Sequence, residues 1–111
     1  MDAGRCNRIE KDFSKKLERL NDNLEGLIEG ANLSDSSSTK KICRLDTIAT
    51  NYLKEIDSYK KGVTKNSNFY VIFDSLSQEF NHFQKRLYTN YKNILEKSKN
   101  IKNKEFYVQE F

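Results

Sequence analysis

Seven large apolar residues in the last third of the chain recur three, four or seven positions apart. They are Phe69, Phe73, Leu76, Phe80, Phe83, Leu87 and Ile94. This spacing places all of them on one face of an α-helix. Because that many rings and aliphatic groups are unstable in water, the helix requires other helices that cover this face. The stretch therefore predicts a helical bundle.

Two earlier stretches show the same alternation of three and four. The first carries Phe13, Leu17, Leu20, Leu24, Leu27 and Ala31, and the second carries Ile42, Leu45, Ala49, Tyr52, Ile56, Tyr59 and Val63. Ile48 and Leu53 flank the second pattern, which indicates a helix that contacts two partners. The chain has no proline and only four glycines, so it favours a few long helices joined by few turns.

The length of 111 residues suits one domain with one core. We predict an all-α fold, an antiparallel up-down-up three-helix bundle with helices at about 7–31, 38–61 and 68–98. Short polar connectors require consecutive helices to lie antiparallel. Residues 99–111 are expected to form a short tail that folds back or is a flexible peptide. The predicted core comprises Leu20, Leu24, Leu27, Leu45, Ala49, Ile56, Phe73, Phe80 and Phe83.

Residues that carry chemistry are sparse and scattered. The single histidine, His82, falls outside the apolar pattern, and we expect it to be an exposed surface residue. Cys6 and Cys43 lie 37 positions apart without a CxxC pattern, which favours a reducing compartment, although a disulfide between them stays open. We therefore predict no enzymatic activity, no catalytic residues, no cofactor and no metal site.

The beginning of the chain and its hydropathy bear on where it acts. Residues 1–12 contain no apolar core of the kind found in a secretory signal, and no apolar run approaches the length of a membrane span. We expect a cytoplasmic or nuclear protein without a transmembrane segment.

Surface candidates fall into two groups. Tyrosines that lie off the apolar pattern and aromatic residues of the tail are candidates for contact with a partner, because such rings have an apolar body and a polar end. This group comprises Tyr70, Tyr88, Tyr91, Phe106, Tyr107 and Phe111. The second group is a basic patch. It lies between Asn81 and Lys104, a region that holds seven basic residues and one acidic residue. Its candidates are Lys92, Lys97, Lys99, Lys102 and Lys104, which suit nucleic acid or an anionic membrane.

The third stretch carries a resemblance to a known family. The run from Phe73 to Tyr88 resembles the last helix of the syntaxin N-terminal domain, in which a Phe, a Leu and a Phe-Gln pair stand at similar spacing. Asn51 to Ile56 is similar to the middle helix of that domain. The resemblance spans about Ile9 to Lys97 and implies a regulatory domain in vesicle fusion that binds the SNARE helix or an accessory protein. No SNARE motif or membrane anchor follows, which is a departure from that family.

The function that we expect is a protein-interaction module that binds partner helices, with a regulatory role in vesicle transport implied by the resemblance. One alternative is a small helical subunit of a larger complex, since Leu17 to Ser34 is similar in pattern and length to the leading helix of Mediator head subunits. Another is a nucleic-acid or anionic-membrane binder that uses the basic patch. Self-association also stays open.

Overall fold

A computed structural model describes the backbone of residues 1–30 and 36–109 and the side chains of residues 1–30 and 38–97. The described residues form three helices and no strand: α1 (Ala3–Gly30), α2 (Ser36–Lys61) and α3 (Asn68–Gln109). The predicted all-α, three-helix fold is confirmed. The helices α1 and α2 begin four and two residues before the predicted positions, 7 and 38.

Polar side chains define where two of the helices begin. Asp2 precedes α1 and accepts a hydrogen bond from the backbone N–H of Arg5 at 2.7 Å. Ser67 precedes α3, and its hydroxyl accepts from the backbone N–H of Tyr70 at 3.2 Å. Each residue satisfies one of the amides that the first turn of a helix leaves unpaired.

Contacts between the helices establish the up-down-up arrangement. Between α2 and α3, residue numbers run in opposite directions, because Tyr59 stacks on Phe73 while Thr50 lies beside Gln84. Between α1 and α3 they run together, because Phe13 contacts Phe80 and Asn21 contacts Arg86. Sequential helices are therefore antiparallel, and the first and third are parallel, as predicted.

The core follows the heptad positions that the sequence indicates. Eight of the nine residues predicted for it are buried, and the ninth, Leu27, is half-buried. Cys6 is an addition to the predicted set, since it is only 1% exposed. It lies one heptad before Phe13, so it extends the α1 pattern by two turns towards the N-terminus.

The apolar pattern of α3 shifts by one residue at Tyr91. The backbone there leaves helical values (φ −134°, ψ 33°). A strict heptad would place Asn90 and Ile94 in the core, but Tyr91 and Leu95 are buried instead, at 5% and 2% exposure. The shift keeps the Asn90 amide in solvent, where it donates to the Arg86 carbonyl at 2.8 Å. Such a local change of period is a stutter in coiled-coil terms, and side chains that bond to backbone carbonyls accompany helix kinks.

The third helix runs further than the other two. The contacts above place Gly30 level with α3 residues 95–97 and Ser36 level with residues 96–98. The helix α3 continues past that level to Gln109, eleven residues beyond the predicted end at 98. No proline or glycine interrupts this segment, and a solvated helix needs no apolar pattern to persist.

Candidate helix-binding groove

Polar side chains close the boundary between α2 and α3 along most of its length. The Gln84 amide donates to the Thr50 hydroxyl at 2.9 Å, and the Lys60 ammonium donates to the Asp74 carboxylate at 2.9 Å. The hydrogen bond between Lys60 and Asp74 lowers the pKa of Asp74 and raises that of Lys60. These contacts lie above buried apolar residues, so this boundary offers little open apolar surface.

The boundary between α1 and α3 is shallow and polar. The Arg86 guanidinium donates to the Asn21 amide oxygen at 3.4 Å across it. A depression of about 360 Å³ lies beside this contact, and its lining includes Glu79 and His82. Leu17 and Phe83 contribute apolar surface to this depression, which is smaller than the groove described next and is otherwise lined by polar and charged side chains.

The boundary between α1 and α2 opens into a groove near the end of α1 and the beginning of α2. We call it the α1–α2 groove; its volume is about 510 Å³. Leu27 and Leu45 contribute to the floor, and Leu27 and Ile48 are half-buried rather than covered. Its full lining is Asp22, Asn23, Gly26, Leu27, Gly30, Ser38, Lys41, Arg44, Leu45 and Ile48.

Two glycines lie on the α1 side of this groove. Gly26 and Gly30 lie four positions apart and therefore on one face of the helix. A Cβ atom added at either glycine would meet no described atom within 4 Å outside the adjacent helix backbone. Among residues 1–30 and 38–97, no side chain of α2 or α3 lies within 4 Å of that position at Gly26.

The α2 side of the groove carries positive charge. Lys41 and Arg44 lie one turn apart, are both exposed and line the groove with Ile48. Among the described residues, neither cation has a carboxylate within ion-pair distance. Asp22 is the one acidic residue among the described residues of the lining, so this lining combines apolar side chains with a net positive charge.

The tyrosines predicted to contact a partner do not gather in one place. Tyr70 is half-buried beneath the Lys60 ammonium, which lies 5.4 Å from its ring centroid. Tyr88 is half-buried, and its hydroxyl donates to Glu96 at 3.4 Å. Eighteen positions separate the two along α3, which is about 27 Å. The expectation that Tyr91 lies off the apolar pattern is wrong: it is buried, and burial raises the pKa of its phenol.

The basic patch is only partly described. Lys92 and Lys97 are exposed, but five positions on a helix turn a side chain by about 140°, so the two do not share a face. The side chains of Lys99, Lys102, Lys104, Phe106 and Tyr107 lie outside the described residues, as does Phe111 entirely. The described part of the patch therefore shows no concentrated cationic surface.

The residues with potential chemistry stand apart from one another. His82 is exposed, as predicted. Both thiols are free, and burial, followed by the nearby Glu10 carboxylate, raises the pKa of Cys6. A thiol with a raised pKa remains protonated and is a poor nucleophile. The described side chains include no group of three or more His, Cys, Asp or Glu residues that suits a metal ion.

The apolar periodicity of the sequence does not predict the α1–α2 groove. Its signal is nevertheless present in the sequence, because Gly26 and Gly30 interrupt one face of a helix of good helix formers. The cationic residues Lys41 and Arg44 are indistinguishable by pattern from other solvated lysines and arginines. Only the packing of α1 against α2 brings them beside the two glycines.

Comparison with known proteins does not assign the chain to a family: no family model, curated protein or solved structure matches it. In the described part of the chain, none of the helices combines the length and hydropathy that crossing a bilayer requires.

Proposed function

We propose that this chain is a non-enzymatic interaction module that binds an amphipathic helix of a partner protein. The observation that carries the proposal is the α1–α2 groove, where Leu27 and Ile48 of a well-packed bundle are only half-buried. A fourth helix placed there buries apolar surface at roughly 25 cal/mol per Å², before the costs of association are subtracted. Helices that lie in grooves of this kind present apolar residues at positions i, i+3, i+4 and i+7.

The test compares peptides that differ only in the order of their residues. One series has an apolar stripe at heptad spacing, and the other has the same composition with the stripe broken. We expect the purified chain to bind the first series and not the second in titration calorimetry. If neither series binds, the proposed function is wrong.

A matched pair of variants locates the binding. Ile48→Gln places an amide in the groove, whereas Leu53→Gln makes the same kind of change at a half-buried position of α2 that lies on its flank towards α3. We expect Ile48→Gln to weaken peptide binding by about tenfold or more and Leu53→Gln to leave it nearly unchanged. Equal effects of the two variants would place the binding site elsewhere.

The sequence-based alternatives remain predictions. In a vesicle-transport role or in a Mediator-like complex, the bound helix would belong to a particular partner protein. Either role is compatible with binding of that helix in the α1–α2 groove. The nucleic-acid and anionic-membrane alternative differs, because it requires a steep dependence of binding on salt concentration. Changing Lys97, Lys99, Lys102 and Lys104 to Gln removes that dependence if the alternative is correct. A negligible signal with duplex DNA, RNA and anionic vesicles excludes it.

A further inference from the structure

We propose that the α1–α2 groove selects an acidic amphipathic helix and that Gly26 and Gly30 allow the backbone of this helix to approach α1 closely. The inference rests on the proposed function and specifies the partner's chemistry. Its two supports are the space at the glycines, where a Cβ atom would meet no described atom within 4 Å outside the adjacent helix backbone, and two cations on the opposite side of the groove that form no ion pair among the described residues.

The first support concerns the interior of α1. Gly26 lies four residues before the end of a 28-residue helix, where glycine is less favourable than alanine. A glycine within a helix often serves a close contact, but a Cβ atom at Gly26 would meet no described atom outside the adjacent helix backbone. Gly26 lines the α1–α2 groove, and on this proposal the space beside it admits the backbone of the partner helix. Gly30 extends the same small surface by one turn.

The second support is charge complementarity. Lys41 and Arg44 flank the apolar residues of the groove, and among the described residues of its lining only Asp22 is acidic. A partner helix with Glu or Asp beside its apolar stripe pairs with the two cations, while a basic flank is repelled by them. Flanking charges of this kind determine partner choice and orientation in helical assemblies. A helix with an apolar and small-residue stripe and an acidic flank is thus the occupant that fits the groove.

The experiment uses two helical peptides of about three heptads with the same Leu/Ala stripe, one flanked by Glu and the other by Lys. Affinities for the full chain are measured by fluorescence anisotropy at low and moderate salt. We expect the acidic peptide to bind about tenfold tighter or more, with an advantage that narrows as salt increases. Equal affinity of the two peptides would overturn the selection for acidic helices while leaving helix binding intact. Absence of binding by both would overturn the proposed function as well.

Charge-reversal variants test whether the groove is responsible. The double variant Lys41→Glu/Arg44→Glu is expected to remove or invert the preference for the acidic peptide. The control Lys15→Glu/Lys54→Glu changes the net charge equally at exposed positions outside the groove lining. An equal loss in both double variants would mean that the whole charge of the chain, and not the groove, attracts the peptide, and would overturn the assignment.

A size variant tests the role of the glycines separately. Gly26→Gln fills the open space with a residue that favours helix more than glycine, so the fold is expected to persist by circular dichroism. Binding of the acidic peptide is expected to fall by about tenfold or more, and Asn7→Gln, at an exposed site of the same helix, is expected to leave it unchanged. Unchanged affinity in Gly26→Gln would overturn the close approach at this position. Tight binding of duplex DNA that the Lys41/Arg44 reversal abolishes, without binding of the acidic peptide, would identify a nucleic acid as the occupant instead.

Discussion

The two ends of this bundle are built differently. At the end near the α2–α3 turn, which we call the aromatic end, rings from all three helices contact one another. Phe80 lies 6.1 Å from Phe13 and 5.9 Å from Tyr52 in edge-to-face geometry, and Tyr59 stacks on Phe73 at 5.3 Å. At the opposite end, the open end, Leu and Ile replace the rings between α1 and α2, and the groove with its two glycines appears.

The difference separates stability from binding within one small domain. Interlocked aromatic rings bury large areas and add edge-to-face attraction, so the aromatic end holds the three helices in register. The open end has less to bury between α1 and α2, and its apolar floor is left half-covered. A bundle that is well anchored at one end retains its fold while the other end exposes a surface for a partner. The predictions below test this division.

The largest effect is expected at the centre of the aromatic end. Phe80 is fully buried and contacts rings of both other helices, so Phe80→Ala removes these contacts and leaves a cavity. We expect a loss of about 3–5 kcal/mol in the free energy of unfolding, measured by urea titration. The nearby exposed residue His82 supplies the control, since His82→Ala should change the free energy of unfolding by less than about 0.5 kcal/mol. Small and equal effects would contradict the heptad assignment.

A second, smaller effect tests the shifted register at the open end. Leu95 is buried and Ile94 is only half-buried, although a strict heptad assigns Ile94 to the core. We expect Leu95→Ala to lower the free energy of unfolding by about 2–4 kcal/mol and Ile94→Ala by about half as much. The same urea titration measures both. The reverse order would mean that the heptad continues unbroken through Tyr91.

Phe80 and Leu95 also show which core positions the sequence predicts and which it does not. The heptad phase identifies Phe80 correctly because each of the three stretches repeats the same alternation, and burial of large apolar groups enforces it. The heptad repeat does not predict the register beyond Leu87, because it places Asn90, a polar residue, at a core position. An amide there followed at once by Tyr91 is itself the sign of a stutter, since a helix gains by exposing the amide and burying the ring.

The groove was missed for a different reason. Apolar periodicity reports which face of a helix is buried, but it does not report how closely two helices approach. Gly26 is unfavourable within a helix, but the sequence does not show that it lies beside a groove, because this depends on how α2 packs against α1. The predicted length of α3 is also too short, because the apolar pattern ends before the helix does. No proline or glycine occurs between Leu95 and Gln109 to end the helix.

A third prediction concerns the open end and has the opposite sign. Gly26→Ala places a methyl group where no described atom outside the adjacent helix backbone lies within 4 Å, and alanine is the better helix former. We expect the free energy of unfolding to rise by about 0.5–1 kcal/mol, which a thermal or urea transition detects. If the substitution stabilises the free chain and weakens binding of the acidic peptide, the glycine serves binding. A loss of stability instead would mean that the space is filled within the chain.

The smallest effect is expected from the ion pair that accompanies the aromatic end. Asp74 accepts hydrogen bonds from Lys60 and from Gln78, and the bond from Lys60 is the main cause of its lowered pKa. The folded state therefore releases this proton more readily than the unfolded chain, whose carboxylate titrates near pH 4. The contribution to stability is present above that pH and is lost as the pH falls through the lower pKa of the folded state.

Asp74→Asn should therefore flatten the dependence of urea stability on pH in the acid range and leave the pH 7 fold unchanged by circular dichroism. Asp22→Asn removes another exposed carboxylate, one in the α1–α2 groove, and is the matched control. Surface ion pairs are weak, so the change should be far smaller than that of Phe80→Ala. If the two substitutions alter the acid titration equally, the Lys60–Asp74 pair adds nothing specific. The rings, and not this ion pair, would then stabilise the aromatic end. This end would differ all the more from the open end, where we propose that charged side chains bind a partner.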